Sequence, residues 1–449
     1  MTTPEPLARL AAERDAIERH DRQRVLPPGR LTPRQQLHAL VDEGSFLEIG
    51  SLARSQHPEA AEATPADGLI AGWARVAGEE IAVLIEDPVA LAATDSQVAK
   101  NKRDRVLGGA VAKRKPVVYV LNGPEARGPS ALPGTGDLFG HLSHQWPQPR
   151  VHDSCALMIA AVLGPAQGEA IEFVAAADVV CAGPGAPDEL GALTDISAQT
   201  DAAACAAVRS LLAAGAVHHP DQDPDRPLDD AAGRQDLTTT AAGLFDGRTI
   251  QVFHARPALQ SGLARLHGIP VAYVGTGGLE THALTTADLR ALRWAARLTR
   301  KLRIPLVFLQ DCATYDPSDA ATATFVLQQR EIIDELRSST APKIAVITGR
   351  GRAIGTFVLG GRQLGTDYIV ALPWASVSVV DPGHFGPDSA PEDQGPWLAA
   401  GLAVIDEVVA PSELREHLGR VLEILMLSRD LPPPEAERGH RIVDDLAKV

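Results

Sequence analysis

The sequence predicts an α/β protein built from two tandem domains that are related by internal duplication. Short apolar strand-like runs alternate with helical segments along the chain, which is the pattern of helices packed on a sheet. Three landmarks of the first half recur in the second half at offsets of 190, 189 and 189 residues, and a nearly constant offset indicates a duplicated unit. The echoed pairs are GWARVAG at 72–78 with GLARLHG at 262–268, KRKPVVYVLN at 113–122 with LRIPLVFLQD at 302–311, and AADVV at 176–180 with GTDYIV at 365–370, aligned on Arg75 and Arg265, Pro116 and Pro305, and Asp178 and Asp367.

Composition restricts the class of protein. Of the 449 residues, 45% are apolar, 22% are charged and only 4% are aromatic, so we expect a soluble protein with an aliphatic, alanine-rich core. The net charge of −15 argues against a nucleic-acid surface. No apolar stretch has the length that a membrane span needs, and the N-terminal residues lack a signal-peptide core. We therefore expect a cytoplasmic protein whose partners include neither nucleic acid nor membrane.

Periodicity and turn signals predict the elements of the first half. The Pro-Pro-Gly sequence at 27–29 stops a first charged helix, and Thr32 is placed to cap a second helix. Two strand-like runs joined by a turn at 77–78 predict a hairpin. We place the domain boundary so that the first domain covers residues 1–232 and the second covers residues 233–449. The predicted elements are helices at 6–24 and from Thr32, strands at 69–76 and 80–86, a helix at 99–115, strands at 116–121 and 156–163, and a helix near 202–214.

A strand, a glycine-bearing turn, a helix and a second strand are predicted in succession in the second half. The first half has the same order of elements, beginning with the predicted strand at 156–163, and there the sequence GPAQGEA forms the turn. Peptide N–H groups at such a turn, reinforced by the N-terminus of the helix, can hold an oxyanion without any ionisable side chain. An ordinary strand-to-helix connection is the alternative. The four elements of the second half are predicted at 343–348, 349–354, 355–364 and 368–372.

Catalysis by side chains has little support in the sequence. The chain has no G-x-S-x-G, H-E-x-x-H or G-x-x-x-x-G-K-[ST] motif and no metal ligands at a characteristic spacing. Its four cysteines are far apart, which is typical of reduced core thiols. Two turns in duplicated domains could instead direct two sets of N–H donors into one cleft, which suits an unstable enolate. We therefore predict oxyanion chemistry by the backbone, without a metal.

Several segments carry a resemblance that covers nearly the whole chain, namely LTPRQQLHALVDEGSFLEIG at 31–50, DGLIAGWARVAGEEIAVLIED at 67–87, LRIPLVFLQD at 302–311 and IDEVVAPSELREHL at 405–418. In this order they resemble the carboxyltransferase (beta) subunits of biotin-dependent acyl-CoA carboxylases, the acetyl-CoA and propionyl-CoA carboxylase family. The resemblance implies two crotonase-like domains, with an acyl-CoA side in the first and a biotin side in the second. It implies transfer of CO2 from carboxybiotin, carried by a separate biotin carboxyl carrier or biotin carboxylase subunit, to the α-carbon of an acyl-CoA. It also implies a homo-oligomer, either a dimer or a trimer of dimers.

The resemblance also implies catalytic positions. The glycine pair of the family's AGGA motif falls on Gly168 and Glu169, and the Gly-Ala pair of its YGGAY motif falls on Ile354 and Gly355. The donor is a peptide N–H group, so Glu169 and Ile354 can still donate, although glycine lets a ligand approach the backbone more closely. The family's GGAR motif becomes Pro-Glu-Ala-Arg at 124–127. The scaffold is well matched, whereas most landmarks of the site are altered.

Basic residues are predicted to bind the anionic groups of the substrates, because cations favour a polyanionic ligand. A solvated helix face is the alternative for the lysine and arginine cluster at 100–105, and a structural ion pair is the alternative for Arg127. Arg350 and Arg352 flank the second turn and could hold a carboxylate or a phosphate, with simple surface exposure as the alternative. The residues expected on the CoA side are Lys100, Lys102, Arg103 and Arg127.

Two other functions remain open from the sequence. The altered turns could catalyse biotin-independent decarboxylation, or other enolate chemistry, on a malonyl-type thioester. The chain could also be a non-catalytic paralogue that completes a hetero-oligomer with an active carboxyltransferase chain.

Overall fold

A computed structural model divides the chain into two compact units, Met1–Val217 and His218–Val449. The predicted domain boundary between residues 232 and 233 stays a prediction. Among the described residues, no helix is long and apolar enough to cross a membrane, and no group of three or more ligating side chains could hold a metal ion. The structure describes residues 5–22, 26–54, 65–87, 97–123, 157–166, 169–214, 222–277, 283–312, 317–320, 322–352, 359–378 and 395–427.

The first unit is built on one sheet whose strands lie in sequence order. Its described strands are β1 (Leu47–Glu48), β2 (Leu69–Val76), β3 (Glu79–Glu86), β4 (Val117–Leu121), β5 (Met158–Val162), β6 (Val179–Ala182) and β7 (Ile196–Ser197). β2 pairs antiparallel with β1 and β3, with Leu69 opposite Glu86, which confirms the predicted hairpin. From β3 to β7 all neighbours are parallel. β4 and β5 are fully buried, and this explains why both read as continuous apolar runs.

Described helices that contact this sheet are α2 (Pro33–Leu40), α3 (Gln97–Lys113), α4 (Glu169–Ala176) and α5 (Asp201–Ala214). The N-terminal helix α1 (Glu5–Arg22) contacts the short 3-10 turn at Pro65–Gly68. α2 begins at a capping box, because the Thr32 side chain accepts from the Gln35 N–H and the Gln35 side chain accepts from the Thr32 N–H. The core of the unit joins α3 and α4 to the sheet through buried residues that include Leu107 and Phe173.

The second unit repeats this sheet with eight described strands. They are β8 (Gln251–Ala255), β9 (Leu259–Leu266), β10 (Ile269–Thr276), β11 (Leu306–Cys312), β12 (Lys343–Arg352), β13 (Tyr368–Ala371), β14 (Ser376–Ser378) and β15 (Glu407–Val408). The strand order is β15-β13-β12-β11-β10-β9-β8, and β14 pairs with the end of β12. β9 is antiparallel to β8 and β10, and β10 to β13 are parallel, as in the first unit.

The predicted end of the strand at Thr348 is wrong. β12 continues to Arg352 because residues 350–352 pair with β14, a contact between segments too distant in sequence to be read from the local pattern. The predicted helix at 355–364 is also wrong over its described part. Residues 359–361 are not helical, Gly360 has a φ of 97°, and only a short 3-10 helix forms at Arg362–Leu364.

The described helices of the second unit are α6 (Leu237–Leu244), α7 (Thr286–Leu302), α8 (Pro317–Ala320), α9 (Ala323–Ser338), α10 (Pro396–Gly401) and α11 (Pro411–Leu427). Asp236 caps α6 by accepting from the Thr239 N–H at 2.9 Å, as Thr32 caps α2 in the first unit. The core gathers residues of α6, the sheet and α11, including Phe245, Tyr273 and Leu418.

Single hydrogen bonds repeat between the two units, in addition to the helices and strands. The Asp178 N–H donates to the Met158 carbonyl, and the Asp178 carboxylate accepts from the Met158 N–H at 2.8 Å. Asp367 makes the same pair of contacts with Lys343, again at 2.8 Å for each bond. Both aspartates fix the start of a buried parallel strand, so the predicted duplication is confirmed at the level of single hydrogen bonds.

Candidate active site

The carboxyl ends of the parallel strands are where open α/β sheets bind ligands, and a cluster of polar groups lies there in the first unit. Glu86 ends β3, and its carboxylate accepts from the peptide N–H groups of Asn122 at 2.9 Å and Gly123 at 3.2 Å. The Tyr119 hydroxyl also contacts this carboxylate, at 3.2 Å. Glu86 thus fixes the backbone immediately before the Pro-Glu-Ala-Arg segment that the sequence places on the acyl-CoA side.

A buried amide network lies behind Glu86. The side-chain amides of Asn122 and Gln36 exchange two hydrogen bonds, of 2.7 and 3.0 Å. Asp201, the first residue of α5, accepts from Arg30 Nε at 3.1 Å and from the Leu31 N–H at 2.9 Å. These contacts tie α2, β4 and α5 together and hold this edge of the sheet rigid.

Three basic residues of α3 are buried, whereas Arg105 in the same cluster is exposed. The exposed fractions of Lys100, Lys102 and Arg103 are 3%, 6% and 4%, so the interpretation of a solvated helix face is wrong for these three residues. Lys102 Nζ donates to the backbone carbonyls of Ala66, at 2.8 Å, and Leu69. Burial lowers the pKa of Lys102 to about 8, against the opposing charges of Glu48 and Asp67.

The environment of Lys102 explains its burial. Ala66 and Asp67 adopt left-handed backbone conformations, with φ of 54° and 50°, in the short 3-10 turn at Pro65–Gly68. The Ala66 carbonyl of this turn and the Leu69 carbonyl at the start of β2 both accept from the Lys102 ammonium group. These hydrogen bonds stabilise the ammonium group away from water. Lys102 is held in the structure as a cation between protein carbonyls, and a contact with CoA phosphates would require these hydrogen bonds to be exchanged. CoA binding by Lys100, Lys102 and Arg103 stays a prediction.

In the second unit, Arg234 and Arg350 both donate hydrogen bonds to Asp311 at the equivalent edge of the sheet. Asp311 Oδ1 accepts from the Arg350 N–H at 2.9 Å and from Arg350 Nε at 2.8 Å. Asp311 Oδ2 accepts from Arg234 Nε at 2.8 Å and from Arg234 Nη2. The Asp311 N–H in turn donates to the Thr276 hydroxyl at 3.1 Å. Simple surface exposure is thereby excluded for Arg350, whose side chain is 17% exposed.

The other predicted site residues are described in part or not at all. Glu169 is the first residue of α4, so its peptide N–H belongs to the first turn of a helix, as the oxyanion prediction requires. Arg352 is the last residue of β12. Nothing is described of the side chains of these two residues. Gly168, Ile354, Gly355 and Arg127 lie outside the described residues, and their assigned roles stay predictions.

Sequence reasoning missed Glu86, Gln36 and Arg234 as parts of these clusters. A signal was present, because Asn122 and Asp311 end two echoed segments, VLN and LQD, at the carboxyl ends of equivalent strands. Polar residues at that edge of a parallel sheet are candidates for ligand binding. The side chains that meet them come from distant segments and could not be read from the local pattern.

The described cysteines do not belong to either cluster. Cys181, Cys205 and Cys312 are buried and are not part of a disulfide. Burial raises the pKa of the Cys181 and Cys205 thiols to about 12, which suppresses the reactive thiolate.

Comparison with known proteins places the chain among carboxyl-transferring proteins. The family model described as "Carboxyl transferase domain" matches residues 24–180 and 193–385, and so extends through both units. The beta5 subunit of a biotin-dependent acetyl-/propionyl-coenzyme A carboxylase from Mycobacterium tuberculosis (strain ATCC 25618 / H37Rv) is 24% identical, covering 93% of this chain and 90% of that protein. The propionyl-CoA carboxylase beta chain of Roseobacter denitrificans is also 24% identical, covering 88% of this chain and 91% of that protein.

Solved structures share the fold. The chain is similar to transcarboxylase 12S, whose crystal structure shows a hexamer assembly with methylmalonyl-coenzyme A and methylmalonic acid bound. The TM-score is 0.79 at 18% identity, covering 97% of this chain and 99% of that chain. A single-chain, multi-domain long-chain acyl-CoA carboxylase matches with a TM-score of 0.73 at 20% identity, covering 93% of this chain and 50% of that chain. The predicted fold of two tandem crotonase-like domains is confirmed by this likeness.

Proposed function

Because this chain belongs to the carboxyl transferase domain family, we propose that it transfers CO2 from carboxybiotin to the α-carbon of an acyl-CoA. The observation that carries the proposal is the family match over residues 24–180 and 193–385, which includes both copies of the duplicated unit. In the exchange the α-carbon loses a proton and gains the carboxyl group, while biotin loses its carboxyl group and regains a proton. The energetic difficulty is the enolate formed when the α-proton leaves.

The peptide N–H groups at 168–169 and 354–355 are proposed as the donors that stabilise negative charge on the two reactants. Each such donor contributes roughly 2.7–4 kcal/mol to the stabilisation of a transition state. The position of Glu169 at the start of α4 supports the first of these assignments, because helix dipoles favour negative charge at that end. Glu86 is proposed to position the neighbouring backbone through its bonds to the Asn122 and Gly123 N–H groups.

The substrates and partners follow from the relatives. Those relatives are named as carboxylases of acetyl-CoA and propionyl-CoA, so a short acyl-CoA is proposed as the acceptor. A separate biotinylated carrier subunit is proposed to bring the carboxyl group, since the Mycobacterium tuberculosis relative is named as a subunit of a biotin-dependent enzyme. A homo-oligomer is proposed because transcarboxylase 12S, which has the same fold, assembles as a hexamer. Action in the cytoplasm without a metal is part of the same proposal.

Incubation of the purified chain with carboxybiotin and acetyl-, propionyl- or longer acyl-CoA tests this function directly. We expect malonyl-type products, detected by mass spectrometry, that require both carboxybiotin and the acyl group. Free CoA in place of acyl-CoA is the matched control and should give none. Absence of product with every acyl-CoA would contradict the proposal, and release of CO2 from malonyl-CoA without biotin would indicate a decarboxylase instead.

A further inference from the structure

Asp311 holds two guanidinium groups at the carboxyl end of β11. Its own side chain is only 4% exposed, whereas those of Arg234 and Arg350 are 36% and 17% exposed. The carboxylate is therefore buried beneath two arginines that both reach the surface. Both guanidinium groups lie at an edge of the sheet where ligands bind.

The backbone around Asp311 is shaped to admit its carboxylate. A Cβ atom on Gly349 would lie 2.4 Å from Asp311 Cγ, and one on Gly277 would lie 2.7 Å from Asp311 Cβ. Neither position could carry a side chain without displacing the aspartate. The pairing of β11 with β12 is also irregular between Gln310 and Cys312, on either side of Asp311. Irregular strand pairing of this kind re-aims side chains next to functional sites.

The first unit shows that the fold does not require this cluster. Asn122 stands at the end of β4 where Asp311 lies near the end of β11, and the partner of its side chain is the neutral amide of Gln36. Arg30 stands two residues before the N-cap of α2, as Arg234 stands two residues before the N-cap of α6. Arg30 pairs with Asp201 at the start of α5 and not with the end of a central strand. The same scaffold thus forms with a neutral residue, Asn122, at the position equivalent to Asp311.

We propose that Arg234 and Arg350, positioned by Asp311, form a binding site for the carboxylate of a small carboxylated ligand. A guanidinium group carries donors that can match the two oxygens of a carboxylate, and a second guanidinium beside it adds positive charge. If the proposed function holds, the ligand is the carboxyl group in transit, either on carboxybiotin or on the carboxylated acyl-CoA.

Binding of malonate, measured by isothermal titration calorimetry without any turnover, tests the site. We expect the chain to bind malonate and not the uncharged malonamide. Arg350→Gln and Arg234→Gln should each weaken binding by about tenfold or more, the scale of a charge-assisted hydrogen bond. The matched control is Arg300→Gln, which removes the same charge from the same unit where Arg300 pairs with Glu335 at 2.8 Å, and it should leave malonate binding unchanged. Equal weakening by all three variants would overturn the proposal.

The Asp311→Asn variant distinguishes positioning of the two arginines by Asp311 from simple electrostatic attraction of malonate. The substitution makes the cluster more positive, so unspecific attraction predicts tighter binding of malonate, whereas a site built on Asp311 predicts weaker binding. Tighter binding would overturn the role of Asp311. Circular dichroism verifies that each variant is folded. Should a glutamine variant fail to fold, Arg350→Lys keeps the charge but loses the planar pair of donors, and it should still weaken binding measurably.

Two further measurements identify whether the bound carboxylate belongs to the carboxylated acyl-CoA or to carboxybiotin. If the acyl product is the ligand, malonyl-CoA should bind more tightly than acetyl-CoA, and Arg350→Gln should abolish that difference. If carboxybiotin is the ligand, the variant should raise the KM for carboxybiotin and leave the KM for acyl-CoA unchanged. If the chain binds malonate but has no transfer activity, the proposed function is contradicted and the carboxylate site is not. If both arginine variants keep full activity and unchanged KM values, the carboxylate site is contradicted and the proposed function is not.

Discussion

Asp42 and Asp246 make the same set of contacts in the two units. Asp42 accepts from the peptide N–H groups of Ala77 and Gly78, at 3.1 and 2.9 Å, in the turn between β2 and β3. Asp246 accepts from the N–H groups of His267 and Gly268, at 2.9 and 2.8 Å, in the turn between β9 and β10. Each carboxylate satisfies two donors of a tight turn and so fixes the register of the hairpin.

An arginine completes the arrangement in each unit. Arg209 on α5 donates to Asp42 and to the Leu40 carbonyl, and Arg415 on α11 donates to Asp246 and to the Leu244 carbonyl. The carbonyl in each case belongs to the last residue of a helix, α2 or α6, where carbonyl groups lack partners within the helix. One aspartate and one arginine therefore join an early helix, a hairpin turn and a late helix in both copies.

Asp246→Ala should strongly destabilise the second unit. Asp246 is 1% exposed, and its removal takes the charged partner from the half-buried Arg415 and the acceptor from two turn N–H groups. The expected loss in the free energy of unfolding is about 3–5 kcal/mol, the scale for breaking a buried pair. Urea unfolding followed by circular dichroism measures it. Asp15→Ala, which removes the exposed partner of Arg19, is the control and should change stability by less than about 0.5 kcal/mol. A similar loss in both variants would contradict the assigned role.

Asp42 should make stability depend on pH in acid. Burial raises the pKa of this carboxyl, but the bonds from Gly78, Arg209 and Ala77 outweigh it, so the pKa lies below the ordinary value of 3.8. A lowered pKa contributes stability that is fully present above about pH 3.8 and is lost as pH falls through the lower, folded value. The difference in urea midpoint between the wild type and Asp42→Asn should therefore shrink below pH 3.8. A difference that stays constant down to pH 2 would show that Asp42 does not titrate in this way.

Local patterns predicted the parts of the fold that local physics determines. The hairpin predicted at 69–76 and 80–86 lies within one residue of β2 and β3, because two apolar runs joined by a turn suffice to specify it. The duplication could be recognised from the sequence because equivalent strands of the two units keep similar residues at their ends. β12 runs past Gly349 because β14 and the end of β11 pair with it, and no local signal encodes those pairings.

The candidate site was less predictable because its contacts join distant segments. Arg234 and Asp311 are 77 residues apart in sequence and meet only in the folded unit. The sequence predicts Lys102 on the CoA side, with a solvated helix face as the alternative, since a charged helical run is usually solvated. Its burial depends on the left-handed conformation of Ala66, which directs a carbonyl toward the ammonium group and which alanine does not favour on its own.

Lys102 should make stability rise in alkaline solution. Its pKa is lowered by burial from 10.5 to about 8, so between these values the unfolded chain binds more protons than the folded chain and stability increases with pH. Relative to Lys102→Met, the wild type should gain about 2 kcal/mol of unfolding free energy between about pH 8 and pH 10. Urea unfolding of both proteins across this range measures the gain. Parallel curves would mean that the Lys102 ammonium is not destabilised by burial.

The two altered turns give the sharpest test of the catalytic assignment. If the peptide N–H groups at 168–169 hold an enolate, Gly168→Val should crowd the approaching thioester oxygen and lower turnover by roughly 10²–10³-fold, the scale for losing one donor. Gly191→Val is the matched control, because a Cβ there meets nothing within 4 Å, and its turnover should stay at the wild-type level.

Glu169→Gly, which restores the residue found in the resembling family, distinguishes two roles of the glutamate. Turnover should rise if Glu169 only weakens a carboxyltransferase, and it should fall by about 10²–10⁴-fold if its carboxyl group has become a catalytic acid or base. Both rates are measured by product formation from carboxybiotin and propionyl-CoA. Unchanged turnover in Gly168→Val and in Glu169→Gly, in a protein shown to be active, would place the chemistry away from the start of α4.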